Sequence, residues 1–243
     1  MKPIVFCDFD GTITLEDTTD LILESFADPA WRAVEERWLA GKIGSRECLQ
    51  EQMSLVRAGE KELGELVDSV PVDPHFLEFA GEWVARGFPF YILSDGFDWV
   101  IRRTLSRPEL NGKGIVERFR IFASQLEIRE QGMKTTFPHG SVQCTHGCAT
   151  CKPQLMQSEG QGCSPLIFIG DGVSDQRAVA CADLVFARKS KSLSQFCTER
   201  KIPHIPFQDF GEVQRELWQQ LTALAAGDTS AANPLILSYE TES

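Results

Sequence analysis

The chain is 243 residues long and carries 24 basic against 35 acidic residues, a net charge of −11. That length suits one domain, or one domain with a modest insertion, and buries a sizeable core without small-scaffold staples, while the acidic balance argues against nucleic acid and anionic membranes as partners. No window approaches the ~18 apolar residues of a membrane span, the first residues run straight into a strand-like PIVFCDFD, and eight cysteines are too sparse for a disulfide scaffold, so a soluble cytoplasmic protein with reduced or metal-bound thiols is expected.

In chain order, the first apolar run, residues 4–6, breaks at once into Asp8-Phe9-Asp10-Gly11-Thr12. Short apolar runs that end this way read as parallel strands buried on both faces. About eighty residues then intervene, far more than one crossover helix needs. Helical patterns at 21–26, 30–39, 46–57 and 62–67 predict an inserted helical cap over residues 14–76. A helix at 77–85 leads to a second strand at 88–93, which ends at Ser94-Asp95-Gly96, and a helix at 99–105 follows. Residues 126–137, LEIREQGMKTTF, alternate and turn at Gly132, which predicts a hairpin beside the main sheet.

Downstream come a helix at 152–157 and a strand at 166–169 that ends at Gly170-Asp171-Gly172, with Asp175 close behind. A helix at 176–182, a strand at 184–187, a helix at 193–201 and a strand at 204–207 complete the alternation. The repeated βα order predicts an α/β fold, a doubly wound parallel sheet with its core at residues 1–13 and 77–226. The tail, 227–243, reads as weakly ordered, although residues 235–237 could dock. No internal repeat is evident.

Strand ends at the carboxyl edge of such a sheet converge on one crevice, so the residues just after each apolar run are site candidates. Taken singly, each acid reads equally well as a helix cap or turn residue. Taken together, Asp8, Asp10, Asp171 and Asp175 would repel one another unless a cation sat among them, and an all-oxygen set suits Mg²⁺. Carboxylates around magnesium, with the Ser94 hydroxyl, loop amides and a lysine, are what phosphoryl transfer requires, with an aspartate able to serve as nucleophile.

DFDGT, the serine of ILSDG, Lys152 and GDGVSD stand in the order of the four motifs of the haloacid dehalogenase superfamily of phosphatases, which this chain resembles. The resemblance implies a Rossmann-like core and an aspartyl-phosphate mechanism. Asp8 would be nucleophile and magnesium ligand; Asp10 would be general acid and base, its backbone carbonyl binding the metal. Thr12 would position the phosphate loop, while Ser94 and amides near Asp95 and Gly96 would bind phosphate. Lys152 would neutralise both aspartate and phosphoryl group, Asp171 would ligate magnesium, and Asp175 would hold metal-bound water or the lysine. The early cap, CxxCKP and the closing VFAR…IPHIPFQDF are similar to the methionine-salvage phosphatases that act on 2-hydroxy-3-keto-5-methylthiopentenyl-1-phosphate. Phosphoserine phosphatases, more distant, bind the substrate amine through a glutamate where Asp17 stands here, and its carboxylate through a cap arginine where Gln52 stands, which weakens phosphoserine as substrate.

The implied partner is a small-molecule phosphate ester, with a homodimer allowed. Phosphoethanolamine and phosphocholine phosphatases, which also carry cysteines near the lysine, are the alternative. A phosphate-responsive receiver shares the acid, hydroxyl and lysine but lacks a helical insert, and an inactive binding homologue would not need every catalytic position intact.

Other conspicuous residues have plainer readings. Cys7 reads as a small buried strand residue, Trp31 and Trp38 as cap packing, and the run from Arg188 to Lys191 as a solvated loop. In QCTHGCATCKP, Cys148 and Cys151 have zinc-knuckle spacing, Cys144 adds a thiol, and His146, His139 or His75 could complete a tetrahedral site. A redox disulfide and free packing thiols are the competing readings, since so short a segment must wrap tightly to enclose an ion.

Overall fold

The computed structural model describes residues 2–111, 114, 116–129, 132–141 and 144–226. The tail and its expected docking segment lie outside these. Strand β1 (Ile4–Cys7) is buried on both sides: Ile4 and Phe6 join one apolar cluster, Val5 and Cys7 another, as a period of two demands. Four helices follow, α1 (Thr18–Phe26), α2 (Trp31–Leu39), α3 (Ser45–Ser54) and α4 (Glu60–Ser69). The chain returns to the sheet through α5 (Phe76–Ala85), β2 (Phe90–Phe97), α6 (Asp98–Leu105), the short α7 (Pro108–Asn111), β3 (Arg120–Arg129) and β4 (Gly132–Thr136). The remaining elements are α8 (Lys152–Glu159), β5 (Leu166–Gly170), β6 (Leu184–Arg188), α9 (Ser192–Glu199), β7 (Ile205–Phe207) and α10 (Phe210–Ala225).

The seven strands lie in the order β4-β3-β2-β1-β5-β6-β7, with every neighbouring pair parallel except β3 and β4. Chain order reverses across β1, which pairs with β2 on one side and β5 on the other, so the carboxyl ends of these three strands border one crevice. Helices α5, α6 and α10 cover the Val5 face, where Phe210 packs against Phe76 and Phe79 with ring centroids 5.3 and 5.5 Å apart. Residues of α1, α3 and α4, among them Leu23, Met53 and Leu63, belong to that same cluster, so the inserted helices share the core of the sheet. The opposite face is covered by α8 and α9 through Met156, Leu193 and Cys197. Among the described residues no helix is long and apolar enough to cross a membrane.

Several expectations are corrected. The helix expected at 176–182 is replaced by two 3₁₀ turns, Val173–Asp175 and Ala178–Cys181, because the Asp175 carboxylate takes the Asp171 and Gly172 amides and ties the chain into a tight loop. Strand β2 runs on through Ser94 to Phe97, with an irregular register between Leu93 and Phe97. The hairpin exists, but its first strand starts at Arg120 and pairs with β2, making it part of the main sheet. Helix α10, capped by Asp209, was not foreseen, although Phe210, Val213, Leu217 and Leu221 mark its buried stripe. Arg188 is buried instead of solvated: it ion-pairs with Asp73 at 3.3 Å and donates to the carbonyls of Thr12 and Gln208, both at 2.8 Å. Cys7 and Trp31 are buried, in line with their packing roles.

Candidate active site

Asp8 follows β1 directly, and Lys152 opens α8; the fold brings them together beneath the crevice. Lys152 Nζ lies 3.0 Å from Asp8 Oδ1 and 2.5 Å from Asp175 Oδ1, with its side chain only 1% exposed. Burial alone would lower the lysine's pKa, but the carboxylates of Asp175 and Asp8 outweigh it and raise it, so the ammonium is held charged. Asp175 has both oxygens committed: Oδ1 accepts from Lys152, while Oδ2 accepts from the Asp171 and Gly172 amides at 3.0 and 2.9 Å. It orients the lysine and the loop.

Lys152, and Lys191 with its Nζ 3.8 Å from Asp171 Oδ2, do not balance this many acids. Burial, then Asp175, hold the Asp8 carboxyl well above the usual range despite Lys152. Burial, then Asp175, push Asp171 up to about 7. Ligand oxygens of Asp8, Asp171 and Asp175 all lie within 4.8 Å of one another. A hard divalent cation fits this donor set: every donor is oxygen, the acids are crowded and under-neutralised, and among the described residues no backbone amide donates to the Asp8 or Asp171 carboxylate as two do to Asp175. Gly11 permits the crowding, since a Cβ there would come within 2.3 Å of Asp171 Oδ2 and the residue sits at φ +69°.

Asp10 faces the same space from the loop after β1. Its Oδ1 accepts from the Thr18 backbone N–H at 3.0 Å and from the Thr18 hydroxyl, and its Oδ2 from the Ser94 hydroxyl at 3.3 Å. Burial, then neighbouring Asp17, push it up to about 7, within reach of both protonation states. Gly96 makes the approach possible, because a Cβ there would lie 2.3 Å from Asp10 Oδ2. The Gly96 amide donates to Ser94 Oγ at 2.9 Å. Thr12 donates to Asp171 Oδ1 at 3.0 Å. Asp95 also lines this space and accepts from the Thr150 amide at 2.9 Å, tying β2 to the loop that precedes Lys152. Asp17 caps α1 and also lines the cavity.

That cavity, about 290 Å³, is lined by Asp8, Asp10, Ser94 and Asp171 below and by residues of α1, α2 and α3 above. Its upper wall is part acidic, with Asp17, Asp20 and Glu35, and part apolar, with Trp38, Leu39 and Leu49; no lysine or arginine lines it among the described residues. Trp38 therefore faces the cavity instead of only packing the inserted helices, which corrects its reading. Gln52 is buried and donates to Glu35 at 2.8 Å. Sequence reasoning missed Thr18, whose only signal was its place after the Asp17 cap, and Glu35, which carried none.

The four motifs thus occupy one crevice. A haloacid dehalogenase-like hydrolase family model matches residues 5–180. The chain belongs to this family. It is 33% identical over 215 residues to a 2-hydroxy-3-keto-5-methylthiopentenyl-1-phosphate phosphatase of Bacillus velezensis, covering 87% of this chain and 88% of the relative. A phosphatase of the same name from Geobacillus kaustophilus is 34% identical, covering 86% of this chain and 93% of the relative. The fold is shared with a phosphoserine phosphatase solved as a phospho-aspartyl intermediate analogue, at a TM-score of 0.65 and 18% identity, over 88% of this chain and 98% of that one. As a haloacid dehalogenase-like hydrolase with phosphatase relatives across nearly its whole described length, the chain is an enzyme of the phosphatase class.

Proposed function

We propose that the chain hydrolyses a small phosphate monoester through an aspartyl-phosphate on Asp8, and that the ester is 2-hydroxy-3-keto-5-methylthiopentenyl-1-phosphate. The observation that carries the mechanism is the contact of Asp8 with a fully buried, charged Lys152 at the floor of the cavity. Asp8 and Asp171, with the Asp10 carbonyl, would hold Mg²⁺, which when bound neutralises phosphoryl oxygens and fixes the ester in line. The Asp8 carboxylate attacks phosphorus, the bond to the leaving oxygen breaks, and Asp10 delivers its proton to that oxygen. Asp10, now a carboxylate, takes a proton from water; the resulting nucleophile attacks phosphorus and frees Asp8 and phosphate. Lys152 counters charge on the nucleophile and the phosphoryl group, and Ser94 with the amides near Asp95 and Gly96 binds a phosphate oxygen. Thr12 positions Asp171, and Asp175 positions Lys152. Helices α1–α4 act as the cap that shields the reaction and selects the leaving group.

The cavity wall supports the choice of substrate. Phosphoserine carries a carboxylate, and the wall offers it Asp17, Asp20 and Glu35, while Lys152 and Lys191 near the floor are already paired with Asp8, Asp175 and Asp171. A neutral hydroxy-keto thioether meets Trp38, Leu39 and Leu49 at its apolar end. Asp17, Asp20 and Glu35 favour one rival, an ammonium-bearing ester such as phosphoethanolamine or phosphocholine. Purified protein assayed with Mg²⁺ against these esters separates the readings. The thioether ester should give the highest kcat/KM; preference for phosphoethanolamine would overturn the substrate assignment, and no turnover of any ester would overturn the mechanism.

A further inference from the structure

A second cavity, about 660 Å³, lies apart from the active site, and four thiols line it: Cys144, Cys148, Cys151 and Cys181. Cys144 Sγ lies 3.4 Å from Cys148 Sγ. Gly147, at φ +64°, makes the turn.

We propose that Cys144, Cys148, Cys151 and Cys181 form a structural four-thiolate site for zinc. Cys181, from the turn Ala178–Cys181, lines the same cavity. It supplies the donor from a separate segment that the compact loop lacks. Of the three histidines that the sequence suggested, His75 borders Gly211, and His139, whose carbonyl accepts from the Cys151 amide at 2.9 Å, packs its ring on Phe122 at 5.1 Å. Zn–S bonds of about 2.3 Å place tetrahedral sulfurs about 3.8 Å apart. The Cys144–Cys148 pair is already near that spacing, but the acidic triad is the set among the described residues whose ligand atoms all lie within 4.8 Å, so zinc must draw the other thiols inward.

The loop is held on both flanks. Arg46 of α3 donates to the Cys148 carbonyl at 3.3 Å and its amide to the Gly147 carbonyl at 3.0 Å, while the Thr150 amide binds Asp95 and Lys152 follows at once. Zinc here would stiffen the segment that joins the inserted helices to the catalytic lysine. The site stands independently of which ester is hydrolysed.

The test is metal analysis of the full chain purified under reducing conditions without added zinc, with cobalt substitution as a spectroscopic readout. About one zinc per chain is expected, together with intense thiolate-to-cobalt charge-transfer absorption. Both should be lost in Cys148→Ser and in Cys181→Ser, kept in His146→Ala, and kept in Asp8→Asn, which alters only the acidic cluster. Circular dichroism of each variant establishes that loss of metal is not loss of fold. Folded, reduced wild-type protein that takes up neither metal would overturn the proposal, as would a Cys144–Cys148 disulfide in freshly purified protein. Full zinc retention in Cys181→Ser would overturn the four-thiolate assignment.

Discussion

Lys152 donates to Asp175 at 2.5 Å while standing 3.0 Å from Asp8, so one buried ammonium serves both the residue that orients it and the proposed nucleophile. Lys152→Ala removes that charge where phosphoryl charge develops. By comparison with loss of one preorganised donor, kcat should fall by about 10²- to 10³-fold, or about 2.7–4 kcal/mol. Steady-state kinetics at saturating Mg²⁺ measure this. A near-normal rate would remove Lys152 from the mechanism.

Thr18 holds Asp10 through both its amide and its hydroxyl, and hydrogen bonds to a carboxylate favour its ionised form. Thr18→Val removes the hydroxyl, keeps the shape, and so raises the Asp10 pKa further from about 7. The first chemical step needs Asp10 protonated, so kcat/KM falls as pH rises through that pKa. In Thr18→Val the alkaline limb of the kcat/KM profile should move to higher pH. An unmoved limb would mean that another group donates the proton.

How much of this was legible in the sequence depends on the range of the interaction. Asp8, Ser94 and Asp171 were readable because each follows an apolar run, and the strand-end rule needs only local pattern. Lys152 was readable from motif order. Arg188 was misread because its run, RKSK, looks solvated, whereas its partner Asp73 lies 115 positions away and no local pattern announces it. Trp38 was assigned to packing because a helical stripe says which face is apolar but not whether that face meets a core or a cavity. The helix expected at 176–182 failed because Asp175 satisfies its neighbours' amides through its side chain, a choice that composition does not reveal.

Arg188 and Asp73 make a cross-chain tie that can be tested on its own. Asp73 also accepts from the amides of His75 and Phe210, so it anchors α5 and α10 as well as Arg188. Arg188→Ala leaves that carboxylate buried without its cation and should cost about 3–5 kcal/mol of stability. Urea unfolding measures it. A change below about 1 kcal/mol, the range of an exposed pair, would show that the arginine is not needed to compensate Asp73.

Trp38 lines the cavity where the thioether end of the proposed substrate would lie. Trp38→Ala should lower kcat/KM for that ester by about 1–3 kcal/mol, mainly through KM, because the contact binds ground and transition states alike. Hydrolysis of a small generic ester that does not reach the apolar wall should change little. Equal losses on both would point to a general folding or closure defect.

The most direct test of the account is the turnover of Asp8→Asn with Mg²⁺. The amide keeps the side chain's shape but cannot form the aspartyl-phosphate and surrenders a charge to the cation. In protein shown by circular dichroism to be folded, the account predicts activity on 2-hydroxy-3-keto-5-methylthiopentenyl-1-phosphate below about a hundredth of wild type. Activity above that level would contradict covalent catalysis by Asp8.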